Sequence, residues 1–140
     1  MKMKRYEQVE HTADLAARVY GGSLKGLFEN AAFAMFDMMG KGDIRGEEFA
    51  LPIERDAPDT ESLLISWLNE LLYRSVKENV FFHGFSVEIT DGNRMRALAA
   101  GEKYPATASA VLKEIKAATY HDLEIIRTSS GYEATIVFDV

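Results

Sequence analysis

A chain of 140 residues with 47% hydrophobic and 27% charged side chains has the composition of one globular domain, which we expect to span residues 1–140. Its net charge of -6 disfavours broad or sequence-specific binding to nucleic acid, because proteins that wrap phosphates are basic. The lack of cysteine excludes a disulfide framework and a cysteine nucleophile and favours the reducing cytoplasm, while the lack of a long apolar stretch excludes a membrane-spanning protein.

The first half of the sequence predicts three strands and two helices. The strands cover residues 6–10, 15–20 and 47–57. Pro52 places the third strand at a sheet edge, because proline cannot donate a ladder hydrogen bond. Ser23 is the expected cap of the first helix, which ends before Gly40. The second helix opens near Asp59, and its apolar stripe consists of Leu63, Leu64, Trp67, Leu68, Leu71, Leu72 and Val76.

The second half of the sequence predicts a run of strands. They cover residues 81–90, 94–101, 114–119, 123–128 and 132–140. Asp91, Gly92 and Asn93 form the expected hairpin turn between the first two. Because the helices are few and precede consecutive strands, the expected fold class is α+β, with two layers in which two main α-helices pack on a mainly antiparallel β-sheet.

Several catalytic signatures are absent from the sequence. It contains no glycine-rich phosphate-binding loop, no dinucleotide-binding glycine motif, no nucleophile elbow and no zinc-protease helix motif. The sequence therefore does not predict a nucleotide hydrolase, dehydrogenase, serine hydrolase or zinc protease of the familiar types.

Three segments carry polar side chains in unusual places. Asp14 directly precedes an apolar strand, where it could ligate a cation or form an ordinary turn. Lys116 lies between small residues, and His121 follows at the predicted strand end, where loops place functional groups; a solvated lysine and a turn histidine are the plain alternatives. Asp139 and the carboxylate of Val140 follow the last apolar strand. Converging carboxylates suit Ca²⁺, Mg²⁺ or Mn²⁺, but spacing alone does not bring these residues together.

At these segments the sequence resembles the archease family. The matching pieces are Glu10-His11-Thr12-Ala13-Asp14, Ile115-Lys116-Ala117-Ala118-Thr119-Tyr120-His121 and Phe138-Asp139-Val140. The length and the order of elements also fit, so the resemblance covers essentially the whole chain. It implies an archease-like fold and a divalent cation held between Asp14 and Asp139, with Val140 as a further ligand. It also implies functional roles for Lys116 and His121.

The resemblance implies a protein that assists another enzyme. Archeases activate the RtcB-type tRNA-splicing RNA ligase by promoting its GTP- and metal-dependent guanylylation and its multiple turnover. Some members have been described as chaperone-like modulators of a tRNA methyltransferase. Carried over, this predicts a cytoplasmic activator in tRNA splicing, not an enzyme, whose Lys116 and His121 assist the catalysis of the ligase. The net charge of -6 also suits contact with a basic enzyme better than with RNA.

Two other functions stay open at this point. One is a stand-alone metal-dependent hydrolase or phosphotransferase built on Asp14, Asp139, Lys116 and His121, which would turn over GTP or phosphoesters without a partner. The other is a binding module for tRNA-modifying enzymes with an incidental cation, in which Asp14→Ala would leave function intact.

Overall fold

The protein, described here by a computed structural model, has the order of strands and helices that the sequence predicts. The structure describes residues 4–10, 14–42 and 45–140. Its elements are β1 (Tyr6–Val9), β2 (Leu15–Gly21), α1 (Leu24–Met39), β3 (Glu47–Asp56), α2 (Thr60–Glu78), β4 (Val80–Thr90), β5 (Arg94–Lys103), β6 (Ala117–Ala118), β7 (Ile126–Thr128) and β8 (Gly131–Asp139).

The strands form two antiparallel sheets, which confirms the predicted α+β class. The first is a 5-stranded sheet in the order β1-β2-β8-β6, in which β7 also pairs with β8. The second is a 3-stranded sheet in the order β3-β5-β4, with β3 at the edge as Pro52 predicts. Helix α1 packs on β2 of one sheet and on β4 of the other, and α2 packs on α1, β4 and β6. The helices therefore join the two sheets through a shared core.

The helix ends follow the capping residues of the sequence. The Ser23 hydroxyl accepts a hydrogen bond from the Gly26 amide at 3.1 Å, and the Asp59 carboxylate accepts one from the Ser62 amide at 2.7 Å. Gly40 ends α1 with a φ of 77°, a conformation that glycine adopts without strain. Asn79 ends α2 in the left-handed region with a φ of 54°. Both helices thus begin at a side chain that caps the first turn and end at a residue with a positive φ.

Trp67 lies in the core, as its place in the apolar stripe predicts. Its side chain is fully buried, and the indole Nε1 donates a hydrogen bond to the Phe28 carbonyl at 3.0 Å. This bond links the middle of α2 to α1. Next to it, the ring of Phe36 packs edge-on against Phe81 and Phe82 at centroid distances of 5.7 and 5.6 Å. The aromatic cluster holds α1 against β4.

Val76 does not belong to the apolar stripe of α2, contrary to the prediction. Its side chain is 82% exposed, and the core position at this level of the helix is Ser75. The Ser75 hydroxyl is satisfied because it donates to the Val80 carbonyl at 2.6 Å. Steps of four residues turn a helix by about 40° beyond a full circle, so the series from Leu68 through Leu72 drifts off the buried face by Val76.

The strands predicted at 114–119 and 123–128 are shorter in the structure. The first is the two-residue β6, and the second begins at Ile126. Because the ladder of β6 stops after two pairs, burial does not alternate over 114–119 as it would in the predicted strand: Ile115 and Ala118 are buried, whereas Ala117 is only partly covered. The segment around Lys116 is thus mainly loop.

Among the described residues, no helix is both long enough and apolar enough to cross a membrane.

The bond between Trp67 and Phe28 provides a test of the core. Trp67→Phe removes the donor and leaves a smaller ring in a fully buried space, so we expect the free energy of unfolding to fall by about 2 kcal/mol. Urea denaturation followed by far-ultraviolet circular dichroism measures it. Tyr73→Phe on the exposed side of the same helix is the control and should change the value by less than about 0.5 kcal/mol. Equal losses in the two variants would contradict the role of Trp67.

Candidate functional site

The ladder between β2 and β8 brings Asp14 and Asp139 to one end of the larger sheet. Its last pair is Leu15 with Phe138, so Asp14 precedes the first residue of one strand and Asp139 is the next residue of the other. In an antiparallel ladder, positions that continue the register lie opposite each other. Two carboxylates that are distant in sequence therefore belong to neighbouring strand ends.

A surface cavity of about 280 Å³ opens at this end of the sheet. It is lined by Asp14, Leu15, Met38, Lys113, Glu114, Ile115 and Val140. The lining contains the acidic residues Asp14 and Glu114, the basic residue Lys113 and four apolar residues. Carboxylate oxygens at such a cavity are suitable ligands for a hard divalent cation or partners for a cationic group. Of the three predicted ligands, Asp14 and Val140 line this cavity and Asp139 does not.

The backbone before β6 is attached to the end of β8. The Lys116 amide donates to the Asp139 carbonyl at 2.7 Å, and Ala117 pairs with Asp139. The Thr119 amide and hydroxyl both donate to the Val137 carbonyl, at 3.0 and 2.8 Å. Lys116 is therefore held next to Asp139 through its main chain. Its side chain is exposed, which leaves the ammonium group in solvent.

His121 lies in the turn after β6 and is exposed. Its amide donates to the Thr119 hydroxyl at 3.3 Å, and its Nε2 lies 3.3 Å from the Asp122 carboxylate. Asp122 has a φ of 50°, in the left-handed region, which marks a tight turn. The imidazole can thus reach a partner molecule from the surface while its backbone position is fixed by Thr119.

The remaining residues of the first motif are only partly described. Glu10 follows β1 and is exposed. Because Val9 pairs with Ala16, Glu10 continues toward the end of β2 at which Asp14 lies. His11, Thr12 and Ala13 lie outside the described residues.

The loop that supplies Lys113 and Glu114 is anchored to the end of α1. The Lys113 amide donates to the Met39 carbonyl and the Leu112 amide to the Gly40 carbonyl, each at 2.9 Å. These bonds attach the loop to the end of α1, so the wall of the cavity beside Met38 is formed by two connected elements. The cavity therefore has a defined shape on this side.

An acid–base pair also secures the start of this loop. The Lys41 ammonium lies 2.7 Å from the Glu102 carboxylate, and its hydrogen bond lowers the pKa of that carboxyl group. The Tyr104 hydroxyl donates to Glu102 at 2.9 Å, and burial raises the pKa of the phenol. Asn79 binds the carbonyls of Tyr104, Pro105 and Ala108 through its side-chain amide. The loop is thus fixed by the side chains of Lys41, of Asn79 at the end of α2 and of Glu102 on β5.

Asn69 is a residue near the site that the sequence analysis did not identify. Its side chain bonds to both backbone groups of Ala118, although it lies on α2, far from the recognised motifs in sequence. The available signal was a polar amide directly after the buried residues Trp67 and Leu68. Such a residue needs a hydrogen-bond partner, but the sequence does not reveal which one.

Within residues 4–10, 14–42 and 45–140, no group of three or more His, Asp or Glu side chains is gathered in a way that could hold a metal ion. The set suggested by the resemblance contains two aspartates and Val140, and its cation binding stays a prediction.

Sequence comparisons relate the chain to archeases over nearly all of its length. The archease protein family matches residues 6–140. The chain is 41% identical to the protein archease of Methanosarcina acetivorans, covering 98% of this chain and 97% of the relative. It is 39% identical to the protein archease of Pyrococcus furiosus, covering 99% of this chain and 100% of the relative.

Solved structures share the fold. The solution structure of protein 1598 of Methanobacterium thermoautotrophicum matches with a TM-score of 0.75 and 32% identity, covering 99% of this chain and 100% of that one. The crystal structure of a Thermotoga maritima protein described as an archease, possible chaperone, matches with a TM-score of 0.65 and 20% identity, covering 100% of this chain and 99% of that one.

Thr119 offers a test of how the turn at His121 is held. Thr119→Val removes the hydroxyl that accepts from the His121 amide and donates to Val137, so we expect that amide to exchange with solvent about tenfold faster. Hydrogen exchange followed by nuclear magnetic resonance measures the rate. Thr135→Val on β8 is the matched control and should leave the His121 amide unchanged. An unaltered rate in the Thr119 variant would show that other contacts hold the turn.

Proposed function

The chain belongs to the archease family, and we propose that it is an activating protein for an RtcB-type tRNA-splicing RNA ligase. The observation that carries the proposal is the placement of Asp14 and Asp139 at adjoining strand ends, with the Lys116 amide bound to the Asp139 carbonyl. These are the residues to which the family resemblance assigns function. In this role the protein promotes the GTP- and metal-dependent guanylylation of the ligase and its repeated turnover, and it acts in the cytoplasm.

A divalent cation is part of the proposed function. Asp14, Asp139 and Val140 would hold it, and these residues provide only oxygen ligands, which suits Ca²⁺, Mg²⁺ or Mn²⁺ better than metals that prefer nitrogen or sulfur. When bound, such a cation supplies charge neutralisation beside a triphosphate. The chain contributes the carboxylates and the rigid strand ends that fix their positions.

Lys116 is proposed to contact the reacting partner. Its backbone is fixed beside Asp139, but its exposed side chain can extend beyond the surface. An ammonium group pairs with a phosphate oxygen or with a carboxylate of another protein. His121 lies in the following turn, where its exposed imidazole could exchange a proton or donate a hydrogen bond at the same partner.

The surface around the site favours a protein partner. Leu112, Tyr120 and Val140 are 64%, 59% and 49% exposed, and all three lie on or next to the segments that form the site. Tyrosine is enriched at protein interfaces, and exposed apolar surface is a feature of sites that bind another protein. Together with the net charge of -6, this supports docking on a basic RNA-processing enzyme.

A chaperone-like role toward a tRNA methyltransferase is the second candidate. The description of the Thermotoga maritima protein as a possible chaperone favours it. It differs from ligase activation in its test, because a chaperone would raise the soluble, active fraction of the methyltransferase and leave the rate of guanylylation of the ligase unchanged. A third outcome, turnover of GTP by the purified protein without any ligase, would identify a stand-alone hydrolase and would contradict both helper functions.

The aspartates test the role of the cation. We expect Asp14→Ala and Asp139→Ala to abolish both the binding of Ca²⁺ or Mn²⁺ and the activation of the ligase, while the fold is retained. Without metal, the melting temperature should stay the same or rise, because removing one carboxylate relieves repulsion between like charges. Calorimetric titration, thermal melting and labelling of the ligase with GTP measure these effects.

Asp56→Ala is the matched control, since Asp56 is exposed at the end of β3 in the other sheet. It should bind the cation and activate the ligase as the unmodified protein does. If both site variants melt far below the control, these aspartates are structural residues and the proposed cation site is wrong.

Lys116 separates cation binding from catalysis. An ammonium group is never a metal ligand, so Lys116→Ala should bind the cation normally but slow guanylylation of the ligase. Lys77→Ala on the exposed side of α2 is the control and should be as active as the unmodified protein. Calorimetric titration and GTP-dependent labelling give the two readouts. A normal labelling rate with the Lys116 variant would contradict its role.

A further inference from the structure

The side-chain amide of Asn69 forms two hydrogen bonds with the backbone of Ala118. The Ala118 amide donates to Asn69 Oδ1 at 2.8 Å, and Asn69 Nδ2 donates to the Ala118 carbonyl at 3.1 Å. This is the pair of bonds that a neighbouring strand would form with one residue of an antiparallel ladder. A side chain of α2 therefore takes the place of a missing strand.

On its other side, Ala118 faces strand β8. Ala118 pairs with Phe138, which is fully buried, and Ala118 itself is only 4% exposed. Since β6 has only two residues, its ladder with β8 supplies few bonds to hold it in register. The two bonds from Asn69 therefore add to the ladder and to the bonds of Lys116 and Thr119 with β8 in fixing this short strand.

The helix gives Asn69 a rigid base. Trp67 and Leu68, directly before it, are fully buried, and Glu70, directly after it, is paired with Arg74 at 2.9 Å. Its amide group therefore has little freedom to follow β6 if the strand shifts. The two Asn69 bonds therefore attach Ala118 to a helix that is packed in the core.

Ala118 lies in the middle of residues 116–121, the segment that carries Lys116 and His121. Lys116 is two positions before Ala118 and His121 is three positions after it. Loss of the two Asn69 bonds would loosen the backbone at Ala118, while the bonds of Lys116 and Thr119 to β8 and the ladder of β2 with β8 would remain. The effect would fall on where the Lys116 ammonium points, and much less on the strand ends that carry Asp14 and Asp139.

We propose that Asn69 is a positioning residue that holds residues 116–121 in register with β8 and so orients the Lys116 ammonium toward the partner ligase. The positioning of Lys116 for catalysis rests on the proposed function, whereas the two hydrogen bonds to Ala118 do not. Only a side-chain amide both donates and accepts in this geometry. Aspartate retains the acceptor and meets the Ala118 carbonyl with a negative charge, and leucine has neither group.

The test compares Asn69→Leu and Asn69→Asp with the unmodified protein. We expect both variants to retain their circular dichroism spectra and cation affinity. In Asn69→Leu the Ala118 amide should exchange with solvent about tenfold faster, the equivalent of one lost hydrogen bond. In Asn69→Asp the carboxylate still accepts from this amide but repels the Ala118 carbonyl, so the exchange rate should rise by a smaller factor. With the ligase, the maximal rate of GTP labelling should fall several-fold at saturating activator. The activator concentration that gives half of this rate should stay the same, because the docking surface is intact.

Asn30→Leu is the matched control. Asn30 lies on α1, and its side chain donates to the Tyr20 carbonyl at 2.7 Å, so this variant loses a comparable bond away from the site. It should label the ligase at the normal rate. Asn69→Asp is nearly isosteric with the original residue and provides the answer if Asn69→Leu does not fold.

Three results would overturn the proposal. An unchanged exchange rate of the Ala118 amide in the Asn69 variants would show that Asn69 does not hold this backbone. An unchanged maximal labelling rate would refute the positioning role. A raised half-saturating concentration with a normal maximal rate would make Asn69 a determinant of docking instead. If the unmodified protein fails to accelerate labelling, the proposed function is wrong, and the exchange rate at Ala118 still decides whether Asn69 holds the strand.

Discussion

The antiparallel ladder between β2 and β8 is the interaction on which the candidate site depends. It runs from the pair of Leu15 with Phe138 to the pair of Gly21 with Tyr132. One face buries Ala17, Val19, Ile136 and Phe138 in the core. A shift by one residue would turn these side chains outward, so the core fixes the register. The same register determines that Asp14 and Asp139 lie at one end of the sheet.

The other end of this ladder is fixed by close packing of backbone. Gly131 has a φ of 142°, which strains any residue with a side chain, and a Cβ at this position would collide with the Gly21 carbonyl. The turn between β7 and β8 therefore lies directly against the end of β2. With one end closed tightly and the register set by the core, the strand ends at the site have little freedom to slip.

Residues 116–121, the segment that carries Lys116 and His121, are held in place in a different way. Its backbone is bound to β8 through the amides of Lys116 and Thr119. The side chains of Asn69 and Thr119 add hydrogen bonds to the backbone of Ala118 and His121. This leaves the side chains of Lys116 and His121 exposed on a firmly held backbone. In the proposed function this arrangement would be an advantage, because binding of the ligase need not first order a flexible loop.

The sequence by itself determined the elements whose signals are local. Caps at Ser23 and Asp59, the buried stripe around Trp67 and the turn at Gly92 depend on residues within about one helical turn or hairpin of each other, so their pattern predicted the order of elements and the fold class. The recognised motifs likewise singled out the residues of the candidate site without showing that they meet.

Only the tertiary structure decided which distant segments pair. The division into two sheets, the reduction of residues 114–119 to the two-residue β6, the exposure of Val76 and the bonds of Asn69 to Ala118 all depend on contacts between residues far apart in sequence. Side-chain periodicity indicates which face of an element is buried but not what covers it. The neighbouring positions of Asp14 and Asp139 follow from one such pairing, since the buried faces of β2 and β8 fit the core in this register.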